Sequence, residues 1–143
     1  MTNLIILQFD GGCSHNPGNK YGSFAVFHQI ETRPPRLLEK QLRFQLGYGT
    51  NNEAEWEALL TGLQWTRDAI NAGCFLPRDF EVKMITDSTV VGFRIAGTNT
   101  SNKSEPEKRM FKLHAAALKY LTPFKCYWID MVNRQKNVEL FGH

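Results

Sequence analysis

The hydrophobic period of this chain first changes at Thr50, and that change restricts the fold to a mixed class. Before it, apolar residues come in short runs: "LIILQF" over residues 4–9, "GSFAVFHQ" over 22–29 and "LLEKQLRFQL" over 37–46. Runs of this length, rich in β-branched and aromatic residues and bounded by turn formers, read as strands. The intervening "DGGCSHNPGNKY" and "TRPPR" are turn chemistry, so the three strands form an antiparallel meander. From Thr50 the text becomes helical: "TNNEAEWEALLTGLQWTRDAINAG" opens on a capping box, Thr50 with Glu53, and stops at Gly73.

A strand "EVKMIT" follows over 81–86, ended by Asp87, then a short helical stretch "STVVGFRIAG" and a polar loop "TNTSNKSE". Pro106 opens a longer helix in its permitted first-turn place, and "FKCYWIDMV" over 124–132 is the last strand. The tail "NRQKNVELFGH" is polar and then briefly apolar, with no clear period. The order β-β-β-α-β-α-α-β predicts an α/β fold: a five-stranded mixed sheet, its first three strands antiparallel, its fourth and fifth parallel, with helices on both faces. With 143 residues and no linker or repeat, residues 1–143 are expected to form one domain.

Composition excludes more than it assigns. Apolar residues make up 42% and charged residues 22%, the balance of a core-forming soluble chain. A net charge of +3 is compatible with a polyanionic partner without requiring one. Cys13, Cys74 and Cys126 are scattered, with no zinc spacing. Sparse, odd cysteines and an N-terminal apolar run too short for a leader or a span predict a cytoplasmic protein away from membranes.

Three carboxylates stand out. Asp10 and Asp87 each end a strand; were those strands parallel neighbours, both would emerge at the carboxyl end of the sheet, where ligands bind. Aspartate is also common there as a turn former or helix cap. On a wheel of about 100° per residue, Glu55 lies amid Leu59, Gly62, Thr66 and Ile70, whereas Glu53 and Glu57 fall toward the polar side and are expected to face solvent. A carboxylate on an apolar face needs an arginine partner or a cation. Three converging carboxylates suit a hard cation such as Mg²⁺ or Mn²⁺, and such sites handle phosphates.

The segments "FDGGCSHNPG", "TNNEAEWEAL" and "ITDSTVV", in this order and at this spacing, resemble the type 1 ribonuclease H family across nearly the whole chain, in its compact form without a basic protrusion. The resemblance implies an endoribonuclease that cleaves the RNA strand of RNA/DNA hybrids with two Mg²⁺ ions. It implies that Asp10 bridges both ions and that Glu55 and Asp87 complete the shell of one. It implies substrate contacts from Gly11, Gly12, Cys13, Asn16, Asn51, Asn52 and Thr89, and a monomer. The family's closing motif runs Arg, two residues, Asn, three residues, Asp. Arg134 and Asn137 align with it, but the acid's position falls on Phe141. The nearest acid is Glu139. The expectation is a weakly held second ion and reduced activity, with a non-catalytic nucleic-acid-binding module as the alternative.

Overall fold

A computed structural model describes residues 3–88, 91–92 and 105–143, with only the backbone for residues 105–108. The described residues form strands β1 (Asn3–Cys13), β2 (Gly18–Ile30), β3 (Arg36–Gly49), β4 (Glu81–Thr86) and β5 (Cys126–Met131), and helices α1 (Asn51–Ala72), α2 (Glu105–Leu121) and α3 (Arg134–Phe141). The sheet order is β3-β2-β1-β4-β5. β1 pairs antiparallel with β2, and β2 with β3, while β1–β4 and β4–β5 are parallel. This is the predicted mixed sheet.

The core lies on the face carrying α1 and α2. Ile5, Leu7 and Phe9 of β1, Phe24 and Val26 of β2, and Val82 and Met84 of β4 project there at strand period. They pack on Trp56, Leu59 and Leu63 of α1 and on Met110, Ala117 and Leu121 of α2. The opposite face is covered by α3, where the fully buried Asn137 donates to the Phe9 carbonyl (3.3 Å) and accepts from Gln8 Nε2 (2.8 Å).

Several expectations are corrected. The meander strands are longer than the apolar runs, because backbone pairing continues through "DGGC", with Cys13 opposite Lys20. Gly11 and Gly12 therefore belong to a strand, and the bend is confined to Ser14–Pro17. The tail is not irregular: Asn133 caps α3 through a bond from the Lys136 amide (3.3 Å), and Gly142, left-handed at φ 78, ends it. Eight residues make little more than two turns, too few to show a hydrophobic period, so only the caps announced this helix. In α1 the expected ends hold: Thr50 caps the Glu53 amide (3.2 Å) and Gly73 is the C-cap, with the left-handed turn taken by the following Cys74. The stretch "STVVGFRIAG" lies largely outside the described residues; of it, Val91 and Gly92 are helical.

Candidate metal centre

The parallel register of β1 and β4 sets Gln8 opposite Ile85. Continued by two residues, it brings Asp10 and Asp87 side by side at the carboxyl end of the sheet. The third acid arrives through backbone packing. A Cβ at Gly11 would stand 2.4 Å from the Ala54 carbonyl carbon and oxygen and 2.7 Å from the Glu55 nitrogen. Only glycine allows α1 to press this closely on β1, and that approach delivers Glu55 beside Asp10. One donor oxygen from each of Asp10, Glu55 and Asp87 lies within 4.8 Å of the others.

The electrostatics follow from crowding. Burial, then the charges of Asp10 and Asp87, push the Glu55 carboxyl up to about 10. Burial, then Asp87, raise Asp10 to about 7, opposed in part by Glu55, the Gly11 backbone and Arg134. Glu55 Oε2 is buried and has no hydrogen-bond partner. Three carboxylates so placed cannot all ionise without a compensating charge. The arginine alternative for Glu55 is not realised, since neither its hydrogen bonds nor its ion pairs include one among the described residues. An all-oxygen donor set with an orphaned oxygen fits a hard divalent cation.

The acids line a cleft of about 260 Å³ shared with Gly11, Gly12, Cys13, Tyr21, Asn51, Arg134 and His143. Of the expected substrate contacts, Gly11, Gly12, Cys13 and Asn51 are thus gathered at the carboxylates. Asn51 Oδ1 accepts from the Cys13 amide (2.9 Å), and Asn16 Oδ1 accepts from the Asn51 amide (3.2 Å). These bonds tie the bend after β1 to the start of α1. Asn16 and Asn52 are exposed and do not line the cleft. Thr89 lies outside the described residues.

One sequence expectation about acids fails. Glu53 and Glu57 do not simply face solvent. Glu57 holds the nearly buried Lys20 ammonium at 2.7 Å through both oxygens, and Glu53 accepts from the Thr50 hydroxyl (3.1 Å) with Arg109 at 3.7 Å. Glu139 is exposed and lines a groove with Gln8, Phe27, Ile85 and Lys136, apart from the carboxylates. Phe141 is buried, as its character requires.

Sequence reasoning missed His143. Its Nδ1 lies 3.3 Å from Asp10 Oδ2, its Nε2 bonds Ser23 Oγ, and its ring meets Tyr21 edge-on and stacks on Phe141. Burial, with Arg43 and Arg134 nearby, holds this imidazole below its ordinary value against the pull of Asp87. The available signal was Gly142: a left-handed helix stop redirects the next side chain.

Compared by sequence, the chain matches no family model and no curated protein. Compared by shape, it matches solved RNase H1 domains over 94% of its length. The N-terminal RNase H domain of rv2228c from Mycobacterium tuberculosis, solved as a maltose-binding protein fusion, superposes with TM-score 0.73 at 24% identity, covering 91% of that chain. The chain has the RNase H1 fold. RNase H1 of the halophilic archaeon Halobacterium salinarum NRC-1 gives TM-score 0.72 at 23% identity over 89% of that chain. LC11-RNase H1 in complex with RNA/DNA hybrid gives 0.66 at 23%, again over 89%. The resemblance read from the three short segments is therefore borne out in the fold, with Asp10, Glu55 and Asp87 at its sheet end.

Proposed function

We propose that this protein is a divalent-cation-dependent endoribonuclease that hydrolyses the RNA strand of RNA/DNA hybrids by a two-metal-ion mechanism. The observation that carries the reading is the convergence of Asp10, Glu55 and Asp87, with one Glu55 oxygen buried and unpaired. The substrate class is supported by the RNase H1 fold and by the hybrid bound to LC11-RNase H1. Bound Mg²⁺, or Mn²⁺ in its place, supplies charge neutralisation at the phosphate and a hydroxide nucleophile at neutral pH.

The chain's own residues supply position. Asp10, close to both other acids, would bridge two ions as the resemblance implies, and Glu55 and Asp87 would hold one of them. The missing side chain of Gly12 leaves room for the Tyr21 ring, and Cys13, Tyr21 and Asn51 line the cleft beside the acids. Groups that can sense a 2′-hydroxyl belong there, because that hydroxyl distinguishes RNA from DNA. The cleft is polar, so substrate phosphate rather than apolar burial completes the site. Scattered cysteines support a cytoplasmic setting, and we read the working unit as a monomer.

The test is cleavage of labelled RNA/DNA hybrid, RNA duplex and DNA duplex in Mg²⁺ and in Mn²⁺. Hybrid alone is expected to be cut, and Asp10→Asn to lower the rate by about 10³-fold, the several kcal/mol that cation placement contributes. Cleavage undiminished in Asp10→Asn refutes the reading. Phe141, standing where the resemblance expects an acid, favours the second reading, a hybrid-binding module without catalysis. Undiminished hybrid binding with no cleavage in either ion establishes it.

A further inference from the structure

Four features around His143 are not used by the three-carboxylate cluster. The imidazole is nearly excluded from solvent, with 4% of the side chain exposed. Its Nδ1 stands 3.3 Å from Asp10 Oδ2. Two neighbouring donors on one octahedral cation at about 2.1 Å lie about 3 Å apart, so this separation suits joint ligation with little movement. The donor atoms that lie mutually close are those of Asp10, Glu55 and Asp87, without His143. The imidazole therefore flanks Asp10 on its own, where an ion outside the cluster would sit.

The far side of the ring is built to orient it. Ser23 is fully buried and its Oγ accepts from the Arg43 amide (2.9 Å). That bond comes from a bulge: between the pairs Gly22↔Phe44 and Phe24↔Gln41, β2 places Ser23 and β3 places both Leu42 and Arg43. Arg43 adopts a left-handed φ of 49 to make it, a conformation costly for a residue with a side chain. Ser23 Oγ then meets His143 Nε2. An imidazole that donates its Nε2 proton to a fixed oxygen presents the lone pair of Nδ1, the arrangement of metal-bound histidine. Tyr21 edge-on and Phe141 stacked fix the ring plane. Phe141 cannot ligate, but it forms the floor on which the histidine rests.

Resting on the cation-dependent reading above, we propose that His143, through Nδ1, is a nitrogen ligand to the second cation, sharing it with Asp10 in place of the acid that Phe141 does not supply. A nitrogen donor favours Mn²⁺ over Mg²⁺ relative to an all-oxygen site. The second site is thus weaker for Mg²⁺ than the first and is filled preferentially by Mn²⁺. Ser23 is a positioning residue.

The experiment is a Mn²⁺ titration of the full chain, isotope-labelled at histidine nitrogen, followed by pulsed electron paramagnetic resonance. A coupling from a directly bound imidazole nitrogen is expected as the weaker site fills. His143→Ala should abolish the coupling and weaken that site about tenfold or more, the tighter site changing less than about twofold. Ser23→Ala should reduce the weaker site's affinity about tenfold while keeping the coupling at saturation. Should His143→Ala fail to fold, the labelled wild type alone still decides. Mn²⁺ binding that Asp10→Asn abolishes, without histidine coupling, overturns this assignment and leaves the cation reading intact. A coupling that survives His143→Ala also overturns it. No Mn²⁺ binding at all overturns both.

Discussion

Glu55 and Glu57 are separated by a single residue on α1, both are half-buried, and they end in opposite circumstances. Glu57 grips Lys20 through both oxygens at 2.7 Å. Its charge is answered within the chain, and the pair is complete in the absence of any ligand. Glu55 meets two further acids, and one of its oxygens meets nothing. The cost of its burial is left for a cation to offset. The same helix, two positions apart, carries a structural charge and a functional one. The difference lies not in burial but in whether the fold itself provides the counter-charge.

Breaking the Glu57 side of the comparison has the larger effect on the fold. Glu57→Gln strands the Lys20 ammonium in a site where its side chain is only 5% exposed, and is expected to cost about 2–4 kcal/mol in urea unfolding. Glu57 keeps some solvent contact, so the loss falls toward the low part of that range. Adding cation sharpens the other side. Mn²⁺ at about 100 times its dissociation constant should stabilise the wild type by about 2.7 kcal/mol, and should leave Glu55→Gln with much less. Equal stabilisation of both proteins would remove Glu55 from the site.

The smallest effect has the most telling sign. In chelator, Glu55→Gln is expected to raise Tm, by about 3 °C or more at pH 8, where the Glu57 change lowers it. The Glu55 carboxyl is held up to about 10 in the folded chain, against 4.5 unfolded. Above 4.5 the unfolded chain releases this proton and the folded one keeps it, so the stability linked to Glu55 falls as pH rises toward 10. Below 4.5 the wild type and Glu55→Gln should converge. Asp10 adds the same trend between 3.8 and about 7. A chelated wild type whose Tm rises from pH 5 to 8 through these groups contradicts the assignment.

The carboxylates were legible because each rests on a local rule. Asp10 and Asp87 terminate apolar runs, and Glu55 interrupts an apolar stripe, so strand order and helical period suffice to converge them. Glu57 was misread for the complementary reason. Its partner Lys20 lies 37 residues away across a strand pairing, and no wheel of α1 contains it. The C-terminal segment hid its content because α3 is short and its key contact, Asn137 with Gln8 and the Phe9 carbonyl, spans 128 or more residues. His143 enters the cleft only because Gly142 turns left-handed and Ser23 is fixed from β3. Each of these is a tertiary placement without a local pattern.

The bulge at Arg43 has a second consequence, at the rim of the sheet. β3 is an edge strand, and it exposes Leu37, Leu38 and Leu42 along an otherwise unpaired ladder of amides and carbonyls. A long, flat, apolar edge invites another chain to add itself as a further strand. Three irregularities, each placing one extra β3 residue against β2, break the spacing such a newcomer would have to match. The distortion that reaches inward to seat Ser23 also keeps the outer margin from serving as a template for aggregation.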